Sequence, residues 1–258
     1  MTKQDTLFVS SLEKGLRVLD VFRRHGASLG ITEIAHATNM DKSAAQRFTN
    51  TLHRLGYLEK DKHSRRYRPA IKLMDFSYTY LQQDRLAEIA VARLIEAGKV
   101  YGTTVNLCVL AGTDIIYTVR IPHEKANYNA TIPGRRIPAF CATGGICILA
   151  FRPADEATAI IDASDIRPLT EHTITDRDTI MRRIAEAHDQ GYAIGAGQAL
   201  PNEIAVAAPV IGNNGMSIGA VLIPVYKPQW SMEHATEKLA PLAMETARSI
   251  SGSLFRNL

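Results

Sequence analysis

The stretch ITEIAHATNMDKSAAQRFTNTLHRLG, Ile31 to Gly56, decides how the first part of this chain folds. A break near Asn39–Met40 divides it into two short helices joined by a tight turn. In the second helix Ala44, Ala45, Phe48, Leu52 and Leu55 recur at steps of three and four, the spacing of a buried stripe. The opposite stripe is Ser43, Gln46, Arg47, Asn50, His53 and Arg54, and no Asp or Glu occurs from Lys42 to Leu58. A solvated helix face ordinarily mixes both signs of charge. A face without acids approaches phosphates and base edges without repulsion. Ser, Gln, Asn and Arg also match the donor and acceptor pattern of the major groove. The stretch therefore reads as a helix-turn-helix over about residues 31–50, with the second helix as the recognition helix. An ordinary amphipathic helix that happens to lack acids is the alternative at this level.

Working outward, Ser10 and Glu13 have the spacing of a capping box. They predict a helix over Leu12–His25 with Leu12, Leu16, Leu19 and Phe22 buried. Thr32 is the expected N-cap of the first helix of the pair, and Gly56 is the expected C-cap glycine of the second. Tyr57–Arg68 then reads as two short strands about a polar turn at Asp61–Ser64. Five Lys or Arg against two acids make that hairpin basic. Three helices followed by a basic hairpin is the order of a winged helix-turn-helix, whose wing lies on the phosphate backbone or in the minor groove.

The charge supports this division. Residues 1–75 hold 14 Lys+Arg against 8 Asp+Glu, or +6, and the remainder holds 16 against 18, or −2. One part is suited to a polyanion and the other is not. The DNA-facing candidates are Thr32, Lys42, Ser43, Gln46, Arg47, Asn50 and Arg54 in the helices, with Arg65, Arg66 and Arg68 in the wing.

From Pro69 a helical connector runs to Gln83, and Asp84 caps a further helix ending at Gly102. Beyond it the pattern alternates. Thr104–Leu110 and Asp114–Ile121 flank a hairpin turn, and Ala205–Ile211 and Met216–Val225 flank the turn Gly212–Gly215. Helices are expected over Ala142–Phe151, Ala154–Asp162 and Asp176–Gln190, the last capped by Thr175. A long final helix opens at Ser231. Hairpins with helices between them give an α+β fold, an antiparallel sheet covered by helices. The expected domains are 9–69, a winged helix-turn-helix; 70–83, a helical linker; and 84–258, an effector-binding and oligomerisation domain.

Three cysteines without a C-x-x-C pair point to reduced thiols, with no disulfide framework and no zinc site. No apolar run approaches a membrane span, and Met1–Val9 has no signal-peptide core, which suits a cytoplasmic protein. Cys141 precedes a helix start, where a thiol pKa can be lowered. Nucleophilic catalysis also needs a positioned base, and His123, His172 and His188 lie in no motif. No catalytic residue, metal site or cofactor is expected. Arg120, at the end of an apolar strand, is a candidate for an anionic ligand.

By its sequence the chain resembles the IclR family of bacterial transcriptional regulators. The resemblance rests on Ser11–Leu19, Thr32–Ala35, Lys42–Arg47, Thr51–Leu52 and Leu55–Leu58. It continues through Thr104–Leu107, Gly134–Ala139, Thr173–Asp176, Gly191–Ala193 and Ala207–Val210. It implies a winged helix-turn-helix joined by helices to a GAF-like effector domain, in dimers, often paired as tetramers, on palindromic double-stranded operators. It implies further that the loop Pro138–Gly145 borders the effector pocket. Phe140, Cys141, Thr143 and Gly144 are then candidate contacts through the free N–H groups of a helix start. The bland reading of the same loop is a helix start packed tightly through glycine.

Departures from the family pattern concern the effector. Asn202 and Ala205 stand where many members have Gly and Cys, Gly195 and Ala196 where acids are usual, and Leu222 and Pro224 where binders of small oxo-acids place serines. Ala205, Leu222 and Pro224 thus imply a less polar pocket, suited to an organic acid with an apolar or aromatic body. The resemblance implies a repressor of a catabolic operon. The competing class is a small-molecule enzyme that uses its helix-turn-helix only to dimerise; the acid-free Lys42–Leu58 stretch and the basic wing favour the regulator.

Overall fold

A computed structural model describes residues 7–26, 28–123 and 132–256. Most of the N-terminal segment read above lies outside these residues. The chain divides into two units, residues 1–83 and 84–258.

The first unit contains α1 (Ser10–His25), α2 (Ile31–Thr38), α3 (Lys42–Arg54), the strands β1 (Leu58–Lys60) and β2 (Tyr67–Pro69), and α4 (Leu73–Gln83). Val18, Val21, Phe22, Ile34, Ala35, Ala45, Leu58 and Tyr67 form its core. The expected stripe on α1 holds at Phe22, with Leu19 half-buried, and is corrected at Leu12 and Leu16. Leu12 and Leu16 are 61% and 54% exposed, whereas Val18, Val21 and Phe22 are buried. Val18, Val21 and Phe22 pack with Ile34, Ala35, Ala45, Leu58 and Tyr67, and that shared core sets the face that α1 buries. Nor does a capping box form: Val9 is the N-cap without a side-chain bond, and Glu13 pairs with Arg17.

Asn39 ends α2 in the left-handed conformation, φ 54°, which Asn tolerates. Asp41 then caps α3 by accepting from the Ala44 N–H at 2.8 Å. Thr32 is not a cap. Gly30 holds that position, and the Glu33 carboxylate accepts from the Gly30 N–H at 2.7 Å. At the far end of α3 the Gly56 N–H reaches His53 O and the Tyr57 N–H reaches Leu52 O. This is a Schellman stop, and Gly56 supplies its positive φ of 81°. The wing pairs Leu58 with Pro69 and Lys60 with Tyr67, and Leu29 adds a bridge to Tyr67. Pro69 therefore closes the wing and does not open the next helix.

The second unit is a six-stranded antiparallel sheet between two helical layers. In chain order it contains α5 (Arg85–Tyr101), β3 (Val105–Ala111), β4 (Asp114–Ile121), β5 (Arg136–Pro138), α6 (Thr143–Ala150), α7 (Ala154–Asp162) and α8 (Arg177–Gln190). It continues with β6 (Ala193–Ala196), β7 (Glu203–Ile211), β8 (Ser217–Tyr226) and α9 (Met232–Arg256). The strand order is β5-β4-β3-β8-β7-β6. Alternation along the strands separates two cores. Leu107, Val206, Val221 and Ile223 pack with α5 and α9 on one face. Cys108, Tyr117, Ala205, Ala207 and Leu222 pack with α6 and α8 on the other. Every residue of α6 is buried. Asp176 caps α8 through the Thr179 N–H, one residue beyond the expected Thr175.

Candidate DNA-binding surface and ligand cavity

The amphipathic register of α3 sorts its side chains. Ala45 and Thr49 are buried, and Ala44, Phe48 and Leu52 are half-buried. Leu55, expected in that stripe, is exposed because the helix has already ended at Arg54. Lys42, Ser43, Gln46, Arg47, Asn50 and Arg54 are all exposed, as is Thr32 in the first turn of α2. Among the described residues, no carboxylate lies within 4 Å of Lys42, Arg47 or Arg54. Their charges are left for an external anion.

The wing arginines differ from one another. Arg65, at the tip with φ 56°, is exposed and unpaired among the described residues. Arg66 donates to Ser28 O at 2.7 Å and to Glu33, whose carboxylate lies at 2.9 Å. The Gly30 N–H first, then the Arg66 guanidinium, hold the Glu33 carboxyl below the usual range. Arg68 donates through Nε and Nη2 to Glu59 across the hairpin. The wing turn is built by Asp61, whose Oδ1 accepts from the Ser64 N–H and hydroxyl.

In the second unit, a cavity of about 10 Å³ lies on the α6–α8 side of the sheet. It is lined by Tyr117, Ile137, Cys141, Ala142, Thr143, Gly195, Gln198, Ala199, Glu203, Ala205 and Leu222. Of the ligand candidates read from the sequence, Cys141, Thr143, Ala205 and Leu222 meet here. Phe140, Gly144, Arg120 and Pro224 are not in the lining. Phe140 is fully buried in the core. Gly144 packs so closely that a Cβ would meet Cys108 Sγ at 2.6 Å. The glycine-packing account thus describes this helix start.

Tyr117, Gln198 and Glu203 are not among the sequence candidates, and Gly195 is named there only as a missing acid. Register explains part of this: Gly195 pairs with Ala205, and Ala205 pairs with Pro224. Glu203 lies two residues before Ala205 on the same face. Burial pushes its carboxyl up to about 7, against the opposing pull of Arg135 and Arg120. The Tyr117 hydroxyl is also raised, chiefly by burial and then by Glu203. A neutral Glu203 donates a hydrogen bond, which an ionised one cannot.

Cys141 is corrected in its chemistry. Burial raises its thiol to about 12, and its Sγ donates to Pro138 O at 3.4 Å. The thiolate needed for attack is not formed near neutral pH. All three cysteines are free and buried. Among the described residues, no group of three or more His, Cys, Asp or Glu could hold a metal, and no helix is long and apolar enough to cross a membrane.

Comparison with known proteins agrees with this geometry in both units. Residues 11–62 match the IclR helix-turn-helix domain, and residues 78–252 match the model described as bacterial transcriptional regulator IclR C-terminal. The Pca operon regulatory protein of Acinetobacter baylyi is 28% identical, over 96% of this chain and 90% of that protein. An IclR family regulator from Brucella abortus superposes with a TM-score of 0.84 at 25% identity, covering 96% of this chain and 94% of that one. An IclR homologue from Microbacterium hydrocarbonoxydans, solved with 4-hydroxybenzoate, has the same fold at 20% identity and a TM-score of 0.75, over 95% and 99% of the two chains. The matched models span both units, and the chain belongs to the IclR family of bacterial transcriptional regulators.

Proposed function

We infer that this regulator is a repressor that binds a palindromic operator as a dimer and leaves it when an organic acid occupies the second unit. One observation carries the DNA reading: the exposed face of α3 holds Lys42, Gln46, Arg47 and Asn50 with no carboxylate to neutralise it. The first turns of such a helix face base edges in the major groove. Arg47→Ala is expected to weaken operator binding by about 1–3 kcal/mol and to relax preference at one base position. Gel-shift titration on DNA flanking its own gene, against random DNA, measures this. Equal losses on both DNAs would make Arg47 a phosphate contact.

In the wing, the free Arg65 is the phosphate contact, while Arg66 fixes the wing to the start of α2. Arg65→Ala is expected to lower the slope of log K against log salt by about one unit. Arg66→Ala should change the slope less, because Glu33 already opposes its charge. The reverse order of effects would refute this division of roles.

The effector is an organic acid with an apolar or aromatic body, and the regulated genes are catabolic. Ala205, Leu222 and Ile137 offer hydrocarbon where a small oxo-acid would need donors for each oxygen. The bound ligand of the Microbacterium homologue is an acid of this kind, and the Acinetobacter relative is named for an operon. A cavity of about 10 Å³ has room for about one water. A ring-sized ligand therefore selects a wider arrangement of its walls, and that differential affinity shifts the population between DNA-binding states.

A further inference from the structure

Among the described residues, Arg183 is an arginine with no carboxylate partner. It lies on α8 beside the buried stripe Ile180, Ile184 and Ala187. Its guanidinium is carried over Gly195 of β6. A methyl group on Gly195 would come within 3.0 Å of Arg183 Nη2 and 3.0 Å of Thr143 Oγ1. Gly195, Thr143 and Gln198 line the cavity, so Arg183 stands directly behind that wall.

Among the described residues, the five N–H donors of this guanidinium have one acceptor, Gln198 Oε1, at 3.4 Å. That oxygen already accepts from the Ile174 N–H at 3.1 Å, and the Gln198 NH2 donates to His172 O and Ala196 O. No carboxylate lies within 4 Å of Arg183 among the described residues. Glu186 acts on it only from a distance, and burial depresses its pKa. A partly desolvated guanidinium without a counter-charge is costly, and a carboxylate is the partner its planar fork fits best. The other candidate anchors are less available. Arg120 lies in the field of Glu203. At the start of α6, Gly144 and Gly145 are packed against Cys108 and the Ala139 backbone.

We propose that Arg183, assisted by Thr143 and Gln198, is the anion-binding residue of the effector site, and that the bare Cα of Gly195 keeps the approach to it open. The proposal rests on the effector reading above. It makes Arg183 the residue that selects acids over neutral analogues of the same shape. It also orients the ligand, with the carboxylate at the β6 edge and the hydrocarbon toward Leu222 and Ile137.

The test uses the full chain and two pairs of probes, benzoate with benzamide and 4-hydroxybenzoate with 4-hydroxybenzamide. Calorimetric titration gives Kd and thermal melting reports the fold of each variant. At least one acid is expected to bind the natural protein, with its amide at least tenfold weaker. Arg183→Gln should weaken the acid by about ten- to a hundredfold and leave the amide unchanged. Arg183→Lys should recover part of that loss. Gly195→Glu, which places a carboxylate against the guanidinium, should abolish acid binding even if Arg183→Gln fails to fold. Acid binding that persists in Arg183→Gln or in Gly195→Glu overturns the assignment of Arg183 while leaving the effector reading intact. If neither acid binds the natural protein, the effector reading falls and the proposal falls with it.

Discussion

Gly145→Ala is expected to destabilise the second unit by about 3 kcal/mol or more, well beyond an ordinary glycine replacement. A Cβ at this position would lie 2.3 Å from Ala139 O, 2.5 Å from Ala139 Cα and 2.8 Å from Ala139 C. These are backbone atoms, so no rotamer change relieves the clash. The neighbouring chain has little room to retreat. The Ala139 N–H is bonded to Thr113 O at 2.9 Å, and the Ala142 N–H to Pro138 O at 3.1 Å. All of α6 is buried against the sheet and α8. Gly252→Ala is the internal control. It lies within α9 with nothing within 4 Å of the added methyl, and relief of backbone entropy should gain up to about 1 kcal/mol. Urea unfolding of both variants measures the contrast. Similar stabilities would mean that the loop Pro138–Ala142 gives way, and that the close approach is not what fixes this wall of the cavity.

Features set by neighbours along the chain are legible in the sequence. The acid-free face of α3, the break at Asn39 and the stop at Gly56 each depend on residues within one or two turns. So do the turns at Gly112 and Gly215. What escaped depends on contacts distant in sequence. The buried face of α1 is set by Val18, Val21 and Phe22 packing with Ile34, Ala45, Leu58 and Tyr67. Arg66 reads as a free cation until the fold brings it to Glu33, and Arg68 until the hairpin register sets it against Glu59. The strands β5 and β6 have three and four residues, too few for an alternation to stand out. Their place in the sheet comes from pairing with β4 and β7.

The cavity was half legible for the same reason. Cys141 and Thr143 belong to one loop that the family resemblance picks out. Gly195 and Ala205 were noticed as missing polar groups, and strand register makes them direct partners. Arg183 carries a usable signal in the sequence. It shares a helix face with Ile180 and Ala187, and a cation on an apolar stripe needs an anion or a long reach to solvent.

Glutamate at both Met74 and Tyr78 is expected to lower operator affinity by about two to four orders of magnitude, by separating two half-site contacts that act together. The helix α4 has no buried side. α4 has 11 residues and none is buried. A helix this short is marginal in water without packing along one face. One flank is accounted for: Phe76 lies 6.0 Å from the Tyr57 ring, and Lys72 donates to Leu55 O at 2.9 Å. The other flank is exposed within the first unit. Ile71, just before the helix, is 79% exposed, and Met74, Tyr78 and Leu81 follow at helical spacing with 60%, 63% and 40%. We propose a second copy of the same helix as the cover, because it would also place two α3 helices on the two halves of a palindrome. Sedimentation and gel shift on the double variant test both links. Loss of the dimer with loss of tight binding is the expected pair of results. A variant that stays dimeric and binds the operator normally would show that this face is covered by something other than its own copy. A variant that is monomeric yet binds equally well would remove the half-site argument altogether, because α3 would then read the operator without the second contact.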